Sequence, residues 1–193
     1  TSEFQSSWIQ YYEKEEGKDK YSFRDSDDKL KTYELGELDR VLIVDPATTG
    51  LTGMVVTGTT SDRQYKVLVL DEVQASFTTD ELLNKIFAMA QRWKVRMIAV
   101  EDVLFSVLYQ HILETEMIRR GLRYRVEGVK TRQQQKEDRV RALVPYMANS
   151  RLLLGKNMDG LRKMIERFPS AKDYHSLDAL AHGISVWRRS AGS

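Results

Sequence analysis

The run Val41-Leu42-Ile43-Val44 ends in Asp45, with Pro46 and Gly50 close behind. An unbroken aliphatic, β-branched stretch of this length reads as a buried strand, and Pro and Gly mark its end. A carboxylate where such a strand leaves the core is costly to bury unless a positive group meets it. If other acids converge there, the positive group expected is a divalent metal ion.

The pattern from residue 39 onward supplies neighbours for this strand. A first strand over Arg40–Asp45 is followed by a second over Gly53–Thr59, the turn Ser61-Asp62-Arg63-Gln64, and a third over Tyr65–Leu70. Strands so closely joined form antiparallel hairpins. Thr78-Thr79-Asp80-Glu81 has the Thr cap and early acids of a helix N-terminus, and Leu82, Leu83, Ile86, Phe87, Met89, Ala90 and Trp93 follow at helical spacing. Met97–Val100 predicts a fourth strand, running into Glu101-Asp102. A helix over Ser106–Arg120 stops at Gly121, and Tyr124–Val129 is a fifth strand. Helices are expected over Gln134–Ala148, Met158–Phe168 and Tyr174–Trp187, with a short apolar piece at Leu152-Leu153-Leu154. The predicted order is therefore a three-stranded meander, then two strands entered through crossover helices. Right-handed crossovers favour parallel pairing of strands one, four and five. The fold class expected is α/β, with a mixed five-stranded sheet in the order 3-2-1-4-5, strand two antiparallel, flanked by helices.

Composition narrows the chemistry. The 193 residues are 41% hydrophobic and 30% charged, enough for one domain with a real core. Cys is absent, which excludes disulfides and thiolate metal sites. No run of about 18 apolar residues suggests a membrane span. The net charge of +2 divides unevenly, −4 over residues 1–40 and +6 over residues 41–193, and a mildly basic body suits a polyanionic partner. Residues 1–38 are polar, charged and dotted with aromatics, and read as a linker or arm. The start lacks Met and a signal-peptide pattern, so the chain reads as a piece of a longer protein.

Topology brings the acids together. Strands one and four are adjacent, so Asp45 and the Glu101-Asp102 step share one end of the sheet. Successive strand residues point to opposite faces, so only one of Glu101 and Asp102 can point with Asp45. Asp178 lies in the otherwise apolar stretch Leu177–Ala181, and His175, Asp178 and His182 share a helix face. Hard oxygen ligands without Cys point to Mg²⁺ or Mn²⁺. Two such ions about 3.5–4 Å apart suit phosphodiester hydrolysis, one activating water and the other stabilising the leaving oxygen. Lys130, Arg132, Lys136, Arg139 and Arg141 form a basic strip after strand five that suits DNA phosphates. Arg119, Arg120, Arg123 and Arg125 read as surface charges.

The meander-then-crossover order with acids on strand one, strand four and the last helix resembles the ribonuclease H-like nuclease superfamily. The segments Gln135–Ala142, Asn149–Leu154, Met164–Pro169 and His175–Leu180, with Val44–Ala47 and Ala99–Asp102, resemble the nuclease domain of tailed-bacteriophage large terminase subunits over residues 39–188. The resemblance implies a metal-dependent endonuclease cutting concatemeric double-stranded viral DNA in the cytoplasm of an infected bacterium. It implies a two-metal Mg²⁺ or Mn²⁺ site in which Asp45, Asp178 and one of Glu101 and Asp102 are metal ligands. His175 stands where many members carry an Asp, and could ligate a metal or relay a proton. An ATPase motor on the same full-length chain, a portal and a small terminase subunit are the partners implied. No Gly-x-x-x-x-Gly-Lys-Ser/Thr phosphate loop occurs, so this piece carries no motor, and residues 1–38 would be the linker side of an absent ATPase domain. The alternatives are another nuclease of the superfamily, such as a junction resolvase or RNA–DNA hybrid nuclease, and a non-catalytic DNA-binding or motor-docking module.

Overall fold

The structure, a computed structural model, describes residues 2–46, 50–101, 107–129 and 135–191. Two short strands, β1 (Gln10–Tyr11) and β2 (Glu13–Lys14), precede the hairpin β3 (Lys20–Arg24) and β4 (Leu30–Glu34). The meander is β5 (Asp39–Asp45), β6 (Thr52–Thr59) and β7 (Val67–Ala75). Then follow α1 (Thr79–Trp93), β8 (Met97–Glu101), α2 (Val107–Arg120) and β9 (Arg125–Val129). The chain continues through α3 (Lys136–Arg141), α4 (Val144–Ala148), β10 (Leu152–Leu154), α5 (Asp159–Arg167) and α6 (His175–Ala191).

The main sheet has the order β1-β10-β7-β6-β5-β8-β9. β5, β8 and β9 run parallel, and β6 is antiparallel to both β5 and β7. Its central five strands are the 3-2-1-4-5 arrangement expected from the sequence. Two further strands extend it: β10 pairs in parallel with β7, and β1 with β10. Leu152, Leu153 and Leu154 are all buried there. A three-residue run is too short to announce a strand, but the open edge of β7 offers the backbone partners that a buried segment needs.

Because the central strands are buried on both faces, their residues divide by parity. Val41 and Ile43 of β5, Val55 of β6, and Met97 and Ala99 of β8 pack with α6, α5 and the α3–α4 segment. Leu42, Val44, Met54, Val56, Ile98 and Val100 pack on the other side with α1 and α2. Each buried Val, Leu, Ile or Met among them contributes about 1.5–3 kcal/mol. Two layers of helix therefore hold one sheet rigid beneath the site.

Residues 2–38 are folded against this body, where the sequence suggested an arm. β2, β3 and β4 form a second, three-stranded sheet. Tyr21, Phe23 and Tyr33 alternate with polar and charged neighbours and turn inward onto the α1 side, with Tyr12 beside them. Phe23 stacks on Tyr33 at 5.6 Å, and Phe4 meets Phe168 edge-on at 5.7 Å. The period-2 aromatics were the available signal, masked by the charges that form the outer face. The expected helix over 134–148 is instead α3 and α4, broken at Ala142–Leu143. Pro145 has no N–H to donate to the Arg141 carbonyl, so one continuous helix would lose a rung there. Among the described residues no helix is long and apolar enough to cross a membrane.

Candidate metal centre

The sheet register sets out the site in a row. Asp45 pairs with Gly53, Gly53 with Gln74, and the Val44–Val100 pair puts Glu101 beside Asp45. Asp45 continues the parity of Val41 and Ile43, and Glu101 that of Met97 and Ala99, so both point to the α6 face. Glu101 is thus the member of the Glu101-Asp102 step that shares a face with Asp45. Asp102 itself lies outside the described residues, as do Lys130 and Arg132.

α6 reaches this row because Gly53 has no side chain. A Cβ on Gly53 would lie 2.3 Å from the His175 carbonyl and 2.4 Å from the Ser176 nitrogen. The start of α6 therefore rests directly on the strand. β7 fastens it there: the Ser176 N–H donates to Gln74 Oε1 at 3.1 Å, and Ser176 Oγ donates to Glu72 Oε1 at 2.9 Å. Two turns on, Gly183 makes a second close approach, where a Cβ would sit 2.8 Å from Ile43 Cδ1. Trp187 closes the far end by donating from Nε1 to Thr57 Oγ1 at 3.0 Å. Asp178 lies between the two contacts and faces the end of β5.

The resulting cluster is buried and charged. Asp45 is 9% exposed, Glu101 7%, Asp178 2% and His182 3%. One ligating atom each from Asp45, Asp178 and His182 lies within 4.8 Å of the others, close enough to share an ion. Two unit charges at that separation repel by roughly 3–4 kcal/mol at an effective dielectric of about 20. That is a large part of a domain's stability, so without a cation the pair holds a proton. The Asp45 carboxyl is accordingly pushed up to about 8, first by burial, then by the charge and hydrogen bond of Asp178, with Glu101 adding and Lys136 opposing.

Cations flank the acids. Arg139 forks onto Asp178, Nε to Oδ1 and Nη2 to Oδ2, both at 3.1 Å. Lys136 Nζ lies 3.3 Å from His175 Nδ1 and 4.8 Å from the Tyr174 ring centre. His175 sits half-buried outside the Asp45–Asp178 contact, with Nε2 3.7 Å from Asp173. Burial, reinforced by Lys136, holds its imidazole below the ordinary range. Arg141 is turned outward into pairs with Glu3, Glu137 and Asp138.

The structure thus brings Asp45, Glu101 and Asp178 to one end of the sheet, with Arg139 and Lys136 at their side. His182 completes the buried group, although sequence reasoning assigned it no role. Its signal was its place four residues after Asp178, one turn along the same face. Burial pushes its imidazole down to about 4 against the opposing charge of Asp178, with Arg139 and Lys136 adding to the depression, so it is neutral near pH 7. Its Nε2 is buried without a hydrogen-bond partner among the described residues. Acids held this closely, with a neutral nitrogen beside them, suit a divalent cation.

No protein-family model matches the sequence, and no curated protein gives a significant match. Solved structures do match the fold. The P22 large terminase nuclease domain aligns with a TM-score of 0.61 at 11% identity, covering 96% of this chain and 91% of that one. The human cytomegalovirus terminase nuclease domain, Mn soaked, aligns with a TM-score of 0.54 at 8% identity, over 78% and 84% of the two chains. The large terminase from a thermophilic bacteriophage aligns with a TM-score of 0.54 at 12% identity, over 77% of this chain. The chain spans only 39% of the length of that phage protein. These likenesses establish the fold, the ribonuclease H-like α/β fold of terminase nuclease domains.

Proposed function

We propose that this chain is the nuclease domain of a viral DNA-packaging terminase large subunit, cutting concatemeric double-stranded DNA by metal-dependent phosphodiester hydrolysis. The observation that carries the reading is the meeting of Asp45 and Asp178 within 4.8 Å, buried, at the end of β5 and beside Glu101 on β8. A structural helix has no use for a buried carboxylate aimed at a second one. Removing that repulsion would stabilise the fold, so the arrangement is explained by what it binds.

In this reading Asp45, Glu101 and Asp178 hold the divalent ions, with Mg²⁺ or Mn²⁺ in a two-metal site. Bound there, the ions supply Lewis acidity to water and to the scissile phosphodiester. Arg139 fixes the Asp178 carboxylate by its two-point fork, so that the group is oriented before any ion arrives. Lys136 and His175 lie where a DNA strand would approach, Lys136 as a phosphate contact and His175 as a proton relay at the mouth. Lys130 and Arg132 precede them in the sequence and would extend the phosphate track. Arg141 would exchange its carboxylate partners for phosphate only at the edge of the contact. The upstream ATPase motor, the portal, the small terminase subunit and the host cytoplasm belong to the same proposal and rest on the sequence resemblance.

The test is cleavage of supercoiled plasmid with Mg²⁺ or Mn²⁺, compared with Asp45→Asn and Asp178→Asn. Nicking and linearisation that need the metal and are lost in both variants support the reading. Full activity in excess EDTA overturns it. DNA binding without any metal-dependent cleavage supports the non-catalytic module instead. Linear duplex, four-way junction and RNA–DNA hybrid substrates compared side by side separate a packaging nuclease from a resolvase or hybrid nuclease.

A further inference from the structure

His182 poses a problem that the carboxylates do not answer. Its Nε2 is closed off from solvent, lacks a hydrogen-bond partner among the described residues, and faces Asp178 Oδ2 at 3.8 Å. That distance is too long for a hydrogen bond. An orphaned buried polar atom costs about 1–3 kcal/mol, and a leucine or methionine of similar volume would avoid the cost. The imidazole contributes a ring nitrogen to the group of ligating atoms it shares with Asp45 and Asp178. Ligands held about 2.0–2.2 Å from one ion lie up to roughly 4.4 Å apart. A group spanning no more than 4.8 Å needs only a slight closing movement to become such a shell.

Neither flanking cation fills that role. Arg139 takes one lone pair on each Asp178 oxygen and leaves each with another, so its fork and an ion can share the carboxylate. The other nearby imidazole is differently placed. His175 is only half-buried, with Lys136 Nζ 3.3 Å from Nδ1, and Nε2 lies 3.7 Å from the exposed Asp173 carboxylate, not among the buried acids.

We propose that His182 Nε2 is a direct nitrogen ligand of the ion held by Asp45 and Asp178, and that it tilts this position toward Mn²⁺ over Mg²⁺. The proposal rests on the reading that the carboxylates hold a divalent ion. Imidazole suits first-row transition metals, whereas Mg²⁺ keeps to oxygen. Glu101 itself offers only carboxylate oxygen, the donor that Mg²⁺ favours.

The experiment is pulsed electron paramagnetic resonance of the protein loaded with Mn²⁺, read for ¹⁴N modulation, with Mn²⁺ and Mg²⁺ affinities measured by titration calorimetry. Wild type and His175→Gln are expected to show nitrogen modulation. His182→Gln is expected to lose it, with about a tenfold or greater loss of Mn²⁺ affinity and little change for Mg²⁺. The chain has three histidines, so His111→Gln/His175→Gln leaves His182 as the sole imidazole and tests the point even if His182→Gln fails to fold. Mn²⁺ bound without nitrogen modulation, or modulation that follows His175, overturns the inference and leaves the carboxylate centre standing. No Mn²⁺ binding by wild type overturns both.

Discussion

α1 and α6 cover opposite faces of the same sheet, and they are built to different rules. α1 is an amphipathic surface helix. Its capping box joins Thr78 and Glu81, its inner face buries Leu82, Leu83, Ile86, Phe87, Ala90 and Trp93, and its outer face is solvated. α6 is buried over most of its circumference, yet it carries Ser176, Asp178 and His182 inside, at positions where α1 has only apolar groups. It also approaches the strands at Gly53 and Gly183 more closely than side chains allow. α1 adds stability without adding chemistry. α6 gives up stability at Asp178 and His182, and uses Ser176 to anchor itself to β7, so that one carboxylate reaches the end of β5.

That contrast is broken most directly at Asp178. Asp178→Asn keeps the size of the side chain and is expected to lower the cleavage rate on the order of 10²–10³-fold, the cost of removing a group that acts on transition-state charge. Rates on folded protein, with circular dichroism confirming the fold, provide the check. The matching change on the other face, Phe87→Ala, is expected to cost about 3–5 kcal/mol of stability and to leave the rate per folded molecule unchanged. Denaturant melts separate the two. If Phe87→Ala reduced the rate as much as Asp178→Asn, the division between the faces would fail.

Gly53 sharpens the comparison from the strand side. Gly53→Ala puts a methyl carbon into the His175 backbone, which α6 can relieve only by lifting away. About 1–3 kcal/mol of destabilisation is expected, together with loss of metal affinity, because Asp178 retreats from Asp45. Trp187 fluorescence and Mn²⁺ titration report the two effects together. Destabilisation with unchanged metal affinity would show that α6 does not set the position of Asp178.

The carboxyl cluster also gives stability a pH signature confined to the α6 face. Folding raises the Asp45 pKa from 3.8 to about 8, so between these values the folded chain holds a proton that the unfolded chain has released. Stability of the metal-free protein therefore falls as pH rises through that window, by at most about 1.4 kcal/mol per pH unit for one proton. Asp45→Asn is expected to remove this part of the slope and to be the more stable protein at pH 8. Mn²⁺ should flatten the wild-type slope by favouring the ionised carboxylate. Melting curves from pH 4 to 8, with and without Mn²⁺, test both; a slope identical in wild type and Asp45→Asn assigns it elsewhere.

What the sequence showed of this site followed from topology. A meander followed by crossovers puts the ends of β5 and β8 side by side whatever the details, so Asp45 and the Glu101-Asp102 step were readable. Which of that pair faced Asp45 was not, because Met97, Ile98, Ala99 and Val100 are all apolar. A strand buried on both faces loses the alternation that marks its inner side. His182 was visible as a position on the Asp178 face, but its orphaned nitrogen is a fact of packing. Gly53 read as an ordinary strand residue until α6 lay against it. In residues 2–38 the aromatics were plain, and the sheet they build was hidden because its outward positions carry charge.

The smallest expected effect falls on the helix whose making is clearest. Thr78 Oγ1 accepts from the Glu81 N–H and the Glu81 carboxylate accepts from the Thr78 N–H, both at 3.2 Å, satisfying two end donors at the start of α1. Thr78→Ala removes one of these contacts and is expected to cost about 0.5–2 kcal/mol. The carboxylates belong to the α6 face of the sheet and α1 to the other, and Leu82, Leu83, Ile86 and Phe87 remain to hold the helix on the sheet. Cleavage rate, Mn²⁺ affinity and the pH slope of stability should therefore stay at wild-type values while the melting midpoint falls. A shift in Mn²⁺ affinity beyond about twofold would mean that the α1 face is coupled through the sheet to the metal centre, and that the two helices are less separate in their work than their burial patterns indicate.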